Sequence, residues 1–141
     1  MVLNIILVAL DSSALSEQVI QTLEALQLKS ATKAILAHVI APQDSGMETD
    51  VERPHTNRDE FLYRQIEKQL QAYQERLPCL SELEIVGGDP AEEIIRLANI
   101  YSADLIVLGN RGLTGVKRIL EGSVSSQVVE DAPCSVLVVK S

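Results

Sequence analysis

Aromatic residues are scarce in this sequence: they make up 3% of its 141 residues, and tryptophan is absent. Hydrophobic residues nevertheless account for 46% of the chain, so the core must consist of valine, isoleucine, leucine and alanine. Aliphatic side chains of this kind suit the close packing of helices on a sheet. A chain of this length can bury about 70% of the surface that it exposes when unfolded. We therefore predict a single domain that spans residues 1–141.

Basic residues are also few, since 12 lysines and arginines stand against 20 aspartates and glutamates and give a net charge of −8. This balance argues against nucleic acid as a partner, because phosphate backbones are bound by clustered lysine and arginine. The apolar runs are well short of the ~20 residues of a membrane helix, and the amino terminus lacks the basic region of a secretory signal. The two cysteines fit no metal or redox spacing. These features predict a reduced, cytoplasmic protein with no membrane partner.

Apolar runs that suit strands alternate with segments that suit helices. The run VLNIILVAL at residues 2–10 is apolar on both faces, as is typical of a central strand in a parallel sheet. Alternation of this kind predicts an α/β fold in which helices cover both faces of the sheet. The predicted elements are strand 2–10, helix 13–28, strand 33–40, a long helix that Pro78 stops, strand 83–86, a helix that Asp89 caps, strand 103–108, helix 123–131 and strand 135–139.

The inward face of each helix is predicted from residues that recur at spacings of three and four. We expect the following side chains to contact the sheet: Leu15, Val19, Leu23 and Leu26 in the first helix, Leu62, Ile66, Leu70, Tyr73 and Leu77 in the second, and Ile94, Ile95 and Ala98 in the third.

One stretch combines glycines and hydroxyls in a pattern that suits phosphate. It reads Gly109-Asn110-Arg111-Gly112, then nine residues, then Gly122-Ser123-Val124-Ser125. A ligand can approach the backbone closely at Gly109, and Gly112 can adopt the positive φ that turns a loop. The helix that follows offers free N–H groups and the positive end of its dipole to an anion. The hydroxyls of Ser123 and Ser125 can add hydrogen bonds to phosphate oxygens.

Charge in the same stretch supports an anion site. Arg111, Lys117 and Arg118 stand against one acid, Glu121, which gives a local surplus of two positive charges in an acidic protein. Neither a GxxxxGK[ST] loop nor a GxGxxG turn is present, so the two common phosphate-binding motifs are excluded. Nothing near the glycines resembles a histidine or glutamate that activates water, and we predict no catalytic residue, with Asp11 and Glu121 left open as alternatives.

The spacing Gly109-x2-Gly112-x9-Gly122-Ser123 resembles the nucleotide-binding signature of the ATP-binding universal stress proteins. The segments VALDSS at 8–13, ILAHVI at 35–40 and PCSVLVVK at 133–140 resemble the same family, so the resemblance covers essentially the whole chain. It implies a three-layer fold of the adenine nucleotide alpha hydrolase type. Its five-stranded parallel sheet would have the strand order 3-2-1-4-5.

The resemblance also implies a site for ATP, with AMP or ADP as alternative occupants, and a dimer. Ala9, Asp11 and Val39 would contact adenine and ribose, and Asp11 would help to hold Mg²⁺ through water. Family members commonly dimerise through the last strand, here 135–139, and an apolar edge strand is best covered by a partner. The residues implied to line the phosphates and ribose are Gly109, Arg111, Gly112, Gly122, Ser123, Val124 and Ser125.

Three functions stay open at this point: a nucleotide-dependent regulatory module, a slow Mg²⁺-dependent ATPase or phosphotransfer enzyme, and a nucleotide-free dimeric scaffold. Asp11 also has a second interpretation as a helix cap, and the glycines have one as turn residues. His38 lies in a predicted buried strand and is expected to be packed rather than catalytic. The loop at 41–56 follows the second strand, and its position suggests a gate over the adenine pocket.

Overall fold

The computed structural model describes residues 3–11, 13–29, 32–42, 56–110 and 123–140, and strands and helices alternate through these ranges. The strands are β1 (Ile5–Ala9), β2 (Lys33–Ile40), β3 (Leu80–Gly87), β4 (Leu105–Gly109) and β5 (Ser135–Val139). The helices between them are α1 (Ala14–Ala25), α2 (Thr56–Gln74), α3 (Pro90–Tyr101) and α4 (Ser123–Asp131).

The five strands form one parallel sheet in the order β3-β2-β1-β4-β5. This is the predicted order, 3-2-1-4-5. The chain first moves outward from β1 to β2 and β3, and it then crosses back to place β4 and β5 on the other side of β1. The strand order therefore reverses between β1 and β4, and the crevice at such a reversal is where sheets of this class bind ligands.

Each face of the sheet is covered by two helices, and each face has its own aliphatic core. Helices α1 and α2 cover one face with Val19, Ile20 and Leu70 among the buried residues. Helices α3 and α4 cover the other face with Leu97 and Val128. The prediction of a sheet that is apolar on both faces is confirmed, because Ile6, Leu7 and Val8 of β1 are all fully buried.

Helix α3 begins as the sequence predicts. The Asp89 carboxylate accepts a hydrogen bond of 3.0 Å from the Glu92 backbone N–H, and Pro90 occupies the first helical turn, where a missing N–H costs nothing. The helix ends at Ser102, which adopts the left-handed conformation with φ of 53°. Both ends of α3 are therefore encoded by local residues.

Five predicted elements have different bounds in the structure. Helix α1 runs over Ala14–Ala25 instead of 13–28, and β4 runs over Leu105–Gly109 instead of 103–108. Strand β3 runs over Leu80–Gly87 instead of 83–86, because all eight of its residues pair with β2. Helix α2 ends at Gln74, so Leu77 is buried from the turn beyond it. Strand β1 begins at Ile5, where the chain starts to pair with β2 and β4.

The predicted core faces are correct except at their margins. Leu26 is 43% exposed, because α1 ends at Ala25 and Leu26 caps it outside the helix. Ile95 is only half-buried, since α3 turns Leu97 toward the sheet instead. His38 is buried in β2 with 8% of its surface exposed, as a packed histidine should be.

Both cysteines are free thiols, in agreement with the prediction. Cys79 precedes β3 and Cys134 precedes β5, and these strands form opposite edges of the sheet. Four inter-strand steps of ~4.8 Å separate them by roughly 19 Å, far beyond the ~7 Å limit for a disulfide. Burial raises the pKa of both thiols, which makes them poor nucleophiles at neutral pH. No helix in the described ranges is long and apolar enough to cross a membrane.

Candidate functional site

The candidate site lies at the carboxyl edge of the sheet, where several predicted residues converge. Ala9 and Asp11 lie at and beyond the end of β1, Val39 near the end of β2, and Gly109 at the end of β4. Helix α4 runs antiparallel to the strands that flank it and ends close to the start of β5. Its first residue, Ser123, therefore lies at the same edge as the ends of β1, β2 and β4.

An apolar strip lines this edge on the face covered by α3 and α4. Ala9, Val39, Val86 and Val138 are half-buried there and pack against the core beneath α3 and α4. They belong to β1, β2, β3 and β5, so the strip crosses the sheet. Small apolar side chains beside exposed polar groups are a common lining of pockets for planar ligands.

Asp11 is an exposed acidic residue of the edge, and its carboxylate is bound to the first turn of α1. Its Oδ1 atom accepts a hydrogen bond of 3.0 Å from the Ser13 backbone N–H, a short one from the Ser13 hydroxyl and one of 3.2 Å from the Ser16 hydroxyl. The Asp11 backbone N–H donates in return to Ser16 Oγ at 3.1 Å. The carboxylate is thus tied to the helix that follows it.

Ser13, and not Asp11, is the N-cap of α1. Its backbone is extended, and its side-chain oxygen accepts a hydrogen bond of 3.2 Å from the Leu15 backbone N–H. The sequence offered three cap-type residues at 11–13, and the structure assigns the cap to the third of them. Asp11 supports that cap from outside by accepting the hydrogen bond of its hydroxyl.

Gly109 has a packing role that the sequence did not indicate. A Cβ atom at this position would lie 2.4 Å from Leu15 Cδ2 and 2.7 Å from Leu15 Cγ. Helix α1 therefore approaches the end of β4 through the space that a side chain would fill. The role predicted from the sequence, close approach of a ligand, is additional to this one and stays a prediction.

Two of the predicted phosphate-lining residues have described side chains. Val124 is 36% exposed and Ser125 is 6% exposed, so the first turn of α4 turns one residue outward and one inward. Arg111, Gly112 and Gly122 lie outside the described residues, as do the 117–118 basic pair and most of the 41–56 loop. Their predicted roles, including the gate, remain predictions.

Among the described residues, Asp11 is the carboxylate that directly follows β1, beside the strand-order reversal, and it is the candidate ligand for a divalent ion there. Among the residues that the structure describes, no three histidine, cysteine or acidic side chains come together to hold a metal. Mg²⁺ that accompanies a nucleotide typically keeps its waters and uses one or two carboxylates plus the phosphates. The donor set at the edge fits that mode of binding.

One residue of the site was missed by the sequence pattern. Ser16 is 2% exposed on the inward face of α1, and both described hydrogen bonds of its hydroxyl join it to Asp11. The available signal was a hydroxyl at a position adjacent to Leu15 and three residues before Val19, inside an otherwise apolar stripe. A polar residue in such a stripe needs a partner, and only the folded structure identifies it.

Comparison with known proteins agrees with this fold. Universal stress protein Sll1388 of Synechocystis sp. is 33% identical over 96% of both chains. The structure of MJ0577, which is a universal stress protein of Methanocaldococcus jannaschii, has a TM-score of 0.85 and 28% identity, with 100% of this chain and 98% of that one covered.

Two further solved structures share the fold at lower identity. A universal stress protein in complex with cAMP has a TM-score of 0.69 and 24% identity, with 99% and 98% coverage. An Arabidopsis thaliana family protein with AMP bound has a TM-score of 0.66 and 23% identity, with 97% and 91% coverage. The sequence profile of the universal stress protein family matches residues 3–140, and the chain therefore belongs to that family.

Proposed function

We propose that this protein binds an adenine nucleotide, ATP with Mg²⁺, at the carboxyl edge of its sheet, and that it acts as a nucleotide-dependent regulatory module of a stress response in the cytoplasm. The observation that carries the proposal is the convergence of an apolar strip, an exposed carboxylate and a helix N-terminus at the point where the strand order reverses.

The apolar strip and Asp11 suit the nucleoside part of the ligand. Ala9 and Val39 are half-buried and small, so they offer a flat surface against which a purine can pack. The Asp11 carboxylate beside them is a hydrogen-bond acceptor for the hydroxyls of a ribose or the amino group of adenine. Such a division between apolar contact and a few polar contacts is typical of nucleotide pockets.

The start of α4 suits the phosphates. The first N–H groups of a helix lack intrahelical partners and carry the positive end of its dipole. Helix α4 has nine residues and begins with Ser123, Val124 and Ser125. In this proposal Gly122 lets a phosphate approach those N–H groups, and Arg111 and Gly112 close the cradle from the preceding loop.

Two structural neighbours hold adenine nucleotides, cAMP in one case and AMP in the other. At 24% and 23% identity these neighbours share the fold with our chain, and their ligands are the reason to test adenine nucleotides first. The glycine signature in our sequence is the reason to begin with ATP.

The experiment is calorimetric titration of nucleotide-free protein with ATP, ADP and AMP, with and without Mg²⁺. Gly122→Val should abolish binding, because its side chain blocks approach to the α4 N-terminus. The matched control is Gly87→Val at the end of β3, where the nearest atom to a new Cβ is Ile40 O at 3.7 Å. The control should bind like the native protein. Native protein without affinity for any adenine nucleotide would contradict the proposal.

We also propose that two copies pair through β5. This edge strand, Ser135–Val139, contains no charged residue, whereas the opposite edge strand β3 contains Glu82 and Glu84. Acidic side chains on an edge oppose pairing with a second copy, and an uncharged apolar edge permits it. Val138→Lys should change the mass in solution from twice 15.4 kDa to 15.4 kDa. Leu80→Lys on β3 is the control, and a monomeric native protein would exclude the dimer.

A further inference from the structure

Ser16 is a buried polar residue whose hydroxyl has Asp11 as its described partner. Helix α1 buries Leu15, Ser16, Val19, Ile20 and Leu23, and Ser16 is the polar member of this set. Its hydroxyl accepts a hydrogen bond of 3.1 Å from the Asp11 backbone N–H and donates one of 3.2 Å to Asp11 Oδ1. A hydroxyl with 2% of its residue exposed is costly unless it is hydrogen-bonded, and here both bonds go to one residue five positions earlier.

These two hydrogen bonds restrain Asp11 at two points. The bond to the backbone N–H restrains the chain where it leaves β1, and the bond to Oδ1 restrains the carboxylate. Ser13 adds two more bonds to the same oxygen, but Ser13 is half-buried and its hydroxyl also caps α1. Ser16 anchors the group from the buried side, where neighbouring side chains prevent its own rotation.

Asp11 is exposed and follows the end of a strand, so the hydrogen bonds of Ser13 and Ser16 together limit the orientations of its carboxylate. An exposed aspartate that must be ordered when a ligand arrives loses side-chain entropy at that moment. A carboxylate that is already oriented by the protein avoids this loss. The hydrogen bonds of Ser16 therefore act on ligand affinity through the orientation of Asp11.

We propose that Ser16 is a positioning residue of the nucleotide site, which holds the Asp11 carboxylate in the orientation that meets the nucleoside. The inference rests on the proposed function, because it assumes that Asp11 contacts the ligand. Ser16 itself lies beneath the site and does not contact the ligand. Its contribution through the carboxylate should therefore disappear in Asp11→Ala, which keeps only the bond from the backbone N–H to Ser16. A residue needed only for folding would not show this dependence.

The test is a double-mutant cycle of ATP affinity with Ser16→Ala, Asp11→Ala and the double variant. Ser16→Ala should weaken affinity by about three- to tenfold, the range expected for lost orientation of one charged group. In the Asp11→Ala background the same substitution should change affinity by less than about twofold. Ser16→Cys keeps the size and weakens the donor, and it replaces Ser16→Ala in the cycle should the alanine variant fail to fold.

A second measurement follows Asp11 without any nucleotide. Three-bond NMR couplings should report a single χ1 rotamer of Asp11 in native protein and a weaker preference for it in Ser16→Ala, where the two bonds from Ser13 remain. The matched control is Thr32→Val, which removes another buried hydroxyl, 5% exposed, that donates to Leu3 O at 2.8 Å near the amino edge of the sheet. The control should leave both the Asp11 rotamer and ATP affinity unchanged.

The outcomes separate this inference from the proposed function. If native protein binds ATP and Ser16→Ala binds it equally well, the positioning role fails and the proposed function stands. If the effect of Ser16→Ala is the same with and without Asp11, the role is structural and the inference also fails. If native protein binds no adenine nucleotide, both fail together.

Discussion

Strand β1 has an aspartate near each of its ends, and the two differ in what they hold. Asp104, before β4, accepts hydrogen bonds of 2.9 Å from the backbone N–H groups of Asn4 and Ile5 at the amino end of β1. Its own N–H donates to Ile5 O at 2.8 Å. Asp11, beyond the carboxyl end, binds the first turn of the next helix instead. One aspartate thus joins strand to strand at the amino edge, and the other joins strand to helix at the carboxyl edge.

The polar side chains at the two edges of the sheet therefore have different roles. At the amino edge, the Asp104 carboxylate accepts hydrogen bonds from backbone N–H groups where β1 begins. Its role is therefore to stabilise the sheet. At the carboxyl edge, Asp11 is exposed and oriented by hydroxyls rather than enclosed. We therefore expect substitutions at the amino edge to change stability and those at the carboxyl edge to change ligand affinity. Of the three predictions that follow, one tests this division, one describes an exception to it, and one concerns a surface contact away from both edges.

The largest effect on stability is expected at Gly109. This residue lies at the carboxyl edge and is an exception to the division, because it packs against Leu15. Gly109→Ala introduces a Cβ atom 2.4 Å from Leu15 Cδ2 and 2.7 Å from Leu15 Cγ, and crowding of this kind typically lowers the free energy of unfolding by about 1–3 kcal/mol. Urea unfolding measures the loss. Leu15→Ala should make the same substitution nearly neutral, because it removes the atoms in conflict. An equal loss in both backgrounds would show that Leu15 is not the cause.

An intermediate effect on stability is expected at Asp104. Asp104→Ala leaves the N–H groups of Asn4 and Ile5 without their acceptor, and the loss of such bonds to a charged group lowers the free energy of unfolding by about 1–2 kcal/mol. ATP affinity should stay unchanged. Asp11→Ala should do the reverse, with a large loss of affinity and a smaller loss of stability. Urea unfolding and calorimetry on both variants measure the two effects, and a loss of affinity in Asp104→Ala would overturn the division between the edges.

The smallest effect is expected from Arg76, which joins α1 to the turn after α2. Its guanidinium pairs with Glu17 and Glu24 at 2.7 Å and 2.8 Å, and exposure weakens such pairs. The hydrogen bond from Arg76 lowers the pKa of Glu24, so the pair stabilises the fold above the ordinary carboxylate pKa of 4.5 and loses this effect as the pH falls.

Arg76→Gln should therefore lower the melting temperature slightly at pH 7, and the difference from native protein should vanish in acid. Thermal unfolding at pH 7 and pH 3 measures it. Lys68→Gln is the control, because Lys68 is an exposed cation of α2, the helix that precedes Arg76. A difference between Arg76→Gln and native protein that persists at pH 3 would assign the effect to packing of the Arg76 side chain rather than to its charge.

Much of the fold could be predicted from local patterns. The runs at 33–40 and 135–139 predict strands with the observed bounds, and the Asp89-Pro90 pair predicts the start of α3. Strand β3 was predicted too short, because its first residues, Leu80 and Ser81, are strand only through their pairing with Lys33 and Ala34. Pairing partners from distant parts of the chain leave no mark in a local pattern.

The candidate site also combines features that are local in the sequence with features that depend on the fold. Glycine spacing, the cap-type residues at 11–13 and the apolar strands are local patterns, so the fold class, the family and the residues worth testing could be predicted without the structure. Tertiary structure alone decided that Ser13 caps α1, that Ser16 holds Asp11 and that Leu15 occupies the space beside Gly109. The physical reason is that a hydrogen bond or a steric contact is a property of two groups in space. The sequence specifies each group, and only the fold specifies the distance between them.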